Sequence, residues 1–221
     1  MEHVGQLNPA TGASPAIPDL SSLIPLLERL LRLLVRLWRH RSHPASYENL
    51  RFDLCLTIHD PAGRQATLRR FQTVRFRTAE PGIVRDVTWG EGEQFADYRV
   101  DGADLVGVRN EGPNRVALLD IRRQPARHEH AEVSIERSIS DGFLQAREYI
   151  EAELERPTKA LRMRVAFPVG CMPRSARVEL SPPSQSSVHV PVELDAAGKP
   201  ELSWSTKHPI QNTRYRLVWS W

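Results

Sequence analysis

The sequence predicts a mainly β chain, an antiparallel sandwich or jelly-roll-like domain preceded by one long amphipathic helix. Three observations predict it. From Tyr47 to the end, apolar residues recur at every second position in run after run, the period of a half-buried strand. Gly, Pro and Asp punctuate those runs at short intervals, as in all-β bodies. Ahead of them stands one stretch of a different period, Leu20 to Arg41, LSSLIPLLERLLRLLVRLWRHR.

In chain order, residues 1–19 are rich in Pro, Gly, Ala and Ser without periodicity and are expected to be a disordered leader. Residues 20–42 form the expected helix. On a wheel of about 100° per residue, Glu28, Arg29, Arg32, Arg36, Arg39 and His40 occupy an arc of roughly 120°. The rest is apolar, whereas a helix resting on its own domain needs a stripe of only about 100°. Ser21 or Ser22 caps the first turn, Pro25 falls where that turn lacks internal bonds, and Arg39 to Arg41 suit the negative pole of the dipole. Eleven large apolar side chains represent on the order of 15–30 kcal/mol of burial, as an upper bound.

A partner surface must therefore cover this stretch. Its charges argue against a membrane span and against a signal peptide. Three covers remain: its own domain, a copy of itself or a partner helix, or an anionic membrane. For a protein partner the contact residues are Leu23, Leu27, Leu30, Leu31, Leu34, Leu37 and Trp38. For a membrane surface they are Arg29, Arg32, Arg36 and Arg39. Residues 43–46, HPAS, form a hinge, because the residue before a proline leaves the α region.

Residues 47–221 are read as one all-β domain. Leu50, Phe52, Leu54, Leu56 and Ile58 share one strand face, and His59 to Gly63 turn the chain. Ala66 to Thr78 alternates until Arg69-Arg70, where two polar residues in succession predict a bulge. Ile83 to Trp89 is a short strand. Trp89 to Asp104 carries Glu91, Glu93, Asp97, Asp101 and Asp104 among glycines, and is read as a solvated acidic loop anchored by Phe95 and Tyr98. The alternative there is an oxygen-ligand cation site, although the spacing does not fit the twelve-residue calcium loop. Arg115 to Arg122 is apolar on both faces and is expected to be central in a sheet. Ala131, Val133 and Ile135 alternate, and Asp141 to Phe143 is expected to turn into a hairpin whose strands carry Ile150 to Leu154 and Leu161 to Phe167, with a helix over 143–155 as the alternative. Strands follow at Ala176 to Leu180, at Val188 to Leu194, at Leu202 and Trp204, and at the closing Tyr215, Leu217, Trp219 and Trp221. The count is nine or ten.

The chain has 221 residues and a formal charge of +3. Ser21 to Ser42 contributes +4 and residues 1–20 contribute −2, so the β domain is nearly neutral. A nucleic-acid face would concentrate basic residues there, and none is expected. Two cysteines, Cys55 and Cys171, point to a reducing, cytoplasmic compartment, with peripheral membrane attachment as the alternative. His128 and His130 face one way if extended but lack a third ligand, so no metal is expected, nor any cofactor. Cys55 with His59 does not read as a nucleophile and its base, and Cys171 implies no particular histidine. Glu151, Glu153 and Glu155 read as a solvated strand face. No nucleophile elbow, phosphate loop or dinucleotide fingerprint occurs. The expected function is a non-enzymatic interaction or adaptor module that self-associates or binds a partner through residues 20–42. The alternative is a membrane-active or membrane-anchored effector acting through the same cationic helix.

Overall fold

The computed structural model describes residues 47–77, 83–88, 93–112, 114–121, 126–181 and 186–221. The expected leader, helix and hinge at residues 1–46, with every partner-contact and membrane-contact residue named above, lie outside them. The described residues are mainly β, with no helix among them, and so none long and apolar enough to cross a membrane.

Fourteen strands are present among these residues: β1 (Tyr47–Ile58), β2 (Gln65–Phe76), β3 (Ile83–Thr88), β4 (Glu93–Asp101), β5 (Asp104–Glu111), β6 (Asn114–Asp120), β7 (His130–Ser140), β8 (Arg147–Glu153), β9 (Ala160–Ala166), β10 (Ser175–Ser181), β11 (Ser186–His189), β12 (Val192–Leu194), β13 (Pro200–Lys207) and β14 (Arg214–Ser220). They form a seven-stranded sheet in the order β12-β13-β9-β1-β2-β7-β4, a four-stranded sheet β11-β10-β14-β8 and a three-stranded sheet β3-β6-β5.

The large sheet buries one face at two places. At one end Phe52, Leu54, Leu56 and Ile58 of β1, Leu68 of β2, Ile139 of β7 and Met163 and Val165 of β9 pack with Ile150, Val178, Leu217 and Trp219 of the four-stranded sheet. At the other end Tyr47, Val74, Phe76, Val133 and Ile135 pack with Val84, Ala117 and Leu119 of the three-stranded sheet. Residues 66, 68, 70, 72, 74 and 76 of β2 fall on one face by the period of two, and that single face serves both clusters. The closing β14 lies inside its sheet, and Trp219 stacks near Phe143 and Phe167, with ring centroids 5.8 Å apart in each case.

Several expectations are corrected. The sheets are not all antiparallel, because β1 runs parallel to β9 from Phe52↔Leu161 to Thr57↔Ala166. The bulge is not at Arg69-Arg70 but in β1, where Asn49↔Val74 is followed by Arg51↔Thr73. The extra residue is Leu50, so Tyr47 and Asn49, not Leu50, continue the face of Phe52 and Leu54. In β2 the alternation runs unbroken because Arg70 and Gln72 themselves face inward. The expected acidic loop is largely β4, paired irregularly with β7 and kinked where Asp97 takes a φ of 50°, and β5, which no clear pattern marks, follows it. Residues 147–153 are a strand, not a helix, yet β8 and β9 do not form a hairpin: β8 pairs with β14, and β9 with β1 and β13. The expected run from Val188 to Leu194 divides at Val190-Pro191 into strands of two different sheets. Of the strand expected from Arg115 to Arg122, residues 115–120 lie in β6, which is central in its sheet as expected.

Candidate functional site

Between its two apolar ends, the inward face of the large sheet turns polar. The β1 bulge aims Asn49 inward, β2 contributes Arg70 and Gln72, and β7 contributes Arg137, which follows Val133 and Ile135 at the same period. From the three-stranded sheet, Asp86 of β3 projects onto this floor between Val84 and Thr88.

These groups form one continuous chain of hydrogen bonds. The Thr158 hydroxyl donates to the Arg156 carbonyl at 3.0 Å and accepts from Asn49 Nδ2 at 3.1 Å. Gln72 Nε2 donates to Asn49 Oδ1 at 2.6 Å, and Arg70 Nη2 donates to Gln72 Oε1 at 2.7 Å. Arg70 Nη1 then reaches the Arg85 carbonyl at 2.9 Å and Asp86 Oδ1 at 2.8 Å. Asp86 Oδ2 accepts from the Tyr98 hydroxyl at 3.1 Å and from Arg137 Nη1 at 3.2 Å. The Arg70 guanidinium also lies over the Phe52 ring, 4.7 Å from its centroid, a cation–π contact.

Burial sets the electrostatics. The side chains of Arg70, Asp86 and Arg137 are 11%, 5% and 3% exposed. Burial lowers the Arg137 pKa from its usual value, while the Asp86 charge opposes the shift. Tyr98 is pushed well above the ordinary phenol range, first by burial and then by the Asp86 carboxylate it donates to. Tyr47 is raised mainly by burial.

Over this floor is a cleft of about 80 Å³, lined by β3 on one side and by β8 with the turn after it on the other. In each small sheet that strand is an edge. Arg85 spans the two, pairing at 2.7 Å with both Glu155 and Glu111. Glu151, expected on a solvated face, is instead buried and is held by Arg214 at 3.1 Å and by Arg216. Glu153 lies 3.6 Å from Arg214. The wall and floor also present Tyr47, Phe52, Leu54, Leu68 and Val87.

The sequence candidates within the described residues are not brought together. Cys55 is half-buried in β1 and burial raises its thiol pKa, which opposes a nucleophilic role. His59 bonds the Thr67 hydroxyl at 2.8 Å instead. Cys171 is partly buried and packs against the core. Asp97 accepts from Ser138 and Asp101 from the Gly102 amide, and His128 and His130 are exposed. Among the described residues no group of three or more His, Cys, Asp or Glu side chains is placed to hold a metal ion. Sequence reasoning missed Arg70, Gln72, Asp86 and Arg137. The signal was phase: each interrupts an otherwise apolar alternation without shifting it.

No protein-family model matches the chain, and no protein of curated function is similar to it. Among solved structures it is similar to an M1 zinc metallopeptidase from Deinococcus radiodurans, at 16% identity and a TM-score of 0.44, over 79% of this chain and 42% of that one. It is also similar to a protein described as a candidate protease from Parabacteroides distasonis, at 9% identity and a TM-score of 0.49, over 81% of this chain and 41% of the other. The chain thus spans about two fifths of the length of either protein, and the activities in their names belong to those proteins.

Proposed function

We propose that this chain is a non-enzymatic protein-interaction module, a β-sandwich of two small sheets on one large one, that associates with a second copy of itself. The observation that supports this reading is β5. It is an edge strand, bonded to β6 on one side and to no strand on the other among the described residues. It also exposes Leu105, Val106 and Val108 at 44–57%. An edge of unpaired amides and carbonyls carrying aliphatic side chains is a template for strand addition. The Leu/Arg segment at 20–42 supplies a second associating surface in this reading, through Leu30, Leu34 and their apolar neighbours.

The test is the light-scattering mass of the full chain in buffer. A mass above that of one chain, lowered by Val106→Lys with Val108→Lys and lowered separately by Leu30→Glu with Leu34→Glu, supports the proposal. A single-chain mass at all concentrations overturns it. Should that monomer move onto anionic vesicles and lose them on Arg32→Glu with Arg36→Glu, the membrane effector takes its place.

A further inference from the structure

We propose that strands β3 to β6 form a unit that opens away from the large sheet as one piece while the rest of the domain stays folded. Chain connectivity permits it. All four strands lie in sequence between β2 and β7, and β2 and β7 pair directly with each other from Gln65↔Ser140 to Arg75↔His130. That ladder continues past Arg75: the Phe76 amide donates to the Glu129 carbonyl at 3.0 Å, and the Phe76 carbonyl accepts from the His128 amide at 2.8 Å. Both ends of the unit are therefore tied at one place, and no bond between β2 and β7 breaks when it opens. Within the unit, Tyr98 of β4 donates to Asp86 of β3 at 3.1 Å, and only residues 102–103 separate β4 from β5, so the strands move together.

The division of the core carries the argument. None of the buried residues in the larger apolar cluster comes from β3 to β6. With the unit open, β12-β13-β9-β1-β2-β7 and the four-stranded sheet keep that cluster whole. Opening divides only the smaller cluster, parting Val84, Ala117 and Leu119 from Val74, Phe76 and Val133. Between the clusters the unit is held by polar contacts. Asp86 is bonded by Arg70 and Arg137, the Arg85 carbonyl by Arg70 and the Arg85 side chain by Glu155. Water hydrates each of these groups once the unit lifts, whereas parting the larger cluster exposes apolar side chains throughout. The β4 to β7 ladder, which opening also breaks, is irregular, with register shifts between Glu93 and Ala96 and between Ala96 and Arg99. Sub-global opening of such contiguous units is a general property of folded chains. Here the open form bares the edge of β7 and the Phe76 end of the large sheet, a binding face that the closed form covers.

The experiment is native-state hydrogen exchange of the full chain at low urea concentrations, followed by NMR. The amides of β6, central in its sheet, are compared with those of β1, β9 and β14, each central in its own. The β6 amides should share one opening with those of β4, exchange at least about tenfold faster than the other group, and show a smaller but measurable urea dependence, because less surface is exposed. Val178→Ala, at a fully buried position of the larger cluster, should speed exchange in β1, β9 and β14 by about tenfold or more. It should leave β6 unchanged, because the closed and open forms lose the same contacts. Asp86→Asn should speed both groups alike, because it raises the closed form alone; the native chain and Val178→Ala decide the matter without it. Exchange in β6 at the rate and urea dependence of β1, exchange in β6 that ignores urea, or a Val178→Ala effect on β6 as large as on β1 would overturn the proposal.

Discussion

Asp86→Asn tests the polar floor most directly. Asparagine keeps the shape of the side chain and one acceptor for Tyr98 or an arginine, but it removes the carboxylate that both Arg70 and Arg137 bond. Breaking a buried ion pair by deleting one partner costs about 3–5 kcal/mol, because the other charge remains desolvated. Here two cations depend on one carboxylate, which puts the expected loss at the upper part of that range. Arg137→Met is expected to cost clearly less, by about 2 kcal/mol or more, since it removes one of two cations that share Asp86 and retains the 2.8 Å contact of Arg70 with Asp86. In the double variant, Arg70 keeps its bonds to Gln72 and the Arg85 carbonyl, and the coupling between the two sites should recover about 1–3 kcal/mol relative to additivity. The assay is equilibrium unfolding in urea followed by tryptophan fluorescence, comparing midpoints at a common m-value. An Asp86→Asn loss under about 1 kcal/mol, or an Arg137→Met loss equal to it, would refute the charge reasoning.

Three further outcomes are expected. Burial alone would push the Glu48 carboxyl up, but hydrogen bonds and charge from Arg77 and Arg75 outweigh it and hold the group below 4.5. Its contribution, about 1.5–3 kcal/mol, is therefore complete above pH 4.5 and lost as pH falls through the lowered folded value. The stability gap between the native chain and Glu48→Gln should accordingly close on acidification, and a gap that widens contradicts the assignment. Gly102→Ala places a methyl against the Glu132 carbonyl at a φ of 81° and should cost about 2 kcal/mol or more, whereas Gly107→Ala meets nothing within 4 Å and should stay within about 0.5 kcal/mol in the same unfolding assay. Cys55, its pKa raised by burial, should alkylate more slowly than a free cysteine peptide at pH 8 when followed by peptide mass mapping; faster labelling would show an activated thiol.

Period and punctuation made most strands legible, because alternation in β1, β7, β9 and β14 is nearly complete and one face of each is buried. Pairing was not legible. Residues 147–153 and 160–166 adjoin in sequence with turn residues between them, yet each finds its partners far along the chain, and local pattern carries no record of a partner that distant. β5 escaped notice for a different reason: both its faces are largely exposed, so burial imposes no alternation on it. The site was hidden by an assumption about phase. Arg69-Arg70 looked like a bulge only if the buried face had to be apolar, and Val133, Ile135, Arg137, Ile139 looked like a strand that ends early under the same assumption. In both strands the period of two holds and the chemistry of the face changes.

The position of that change follows from dimensions. A twelve-residue strand such as β2 extends about 40 Å, more than one short sheet of strands seven or eight residues long can cover. Two small sheets therefore cover its ends, and their edge strands β3 and β8 both line the space between. Such edges bring the Arg85 carbonyl and the Asp86 side chain to the junction, and an apolar floor beneath them would leave those groups without their floor partners. Arg70, Gln72 and Arg137 meet that requirement: Arg70 takes the Arg85 carbonyl and one Asp86 oxygen, Gln72 holds Arg70, and Arg137 takes the other Asp86 oxygen.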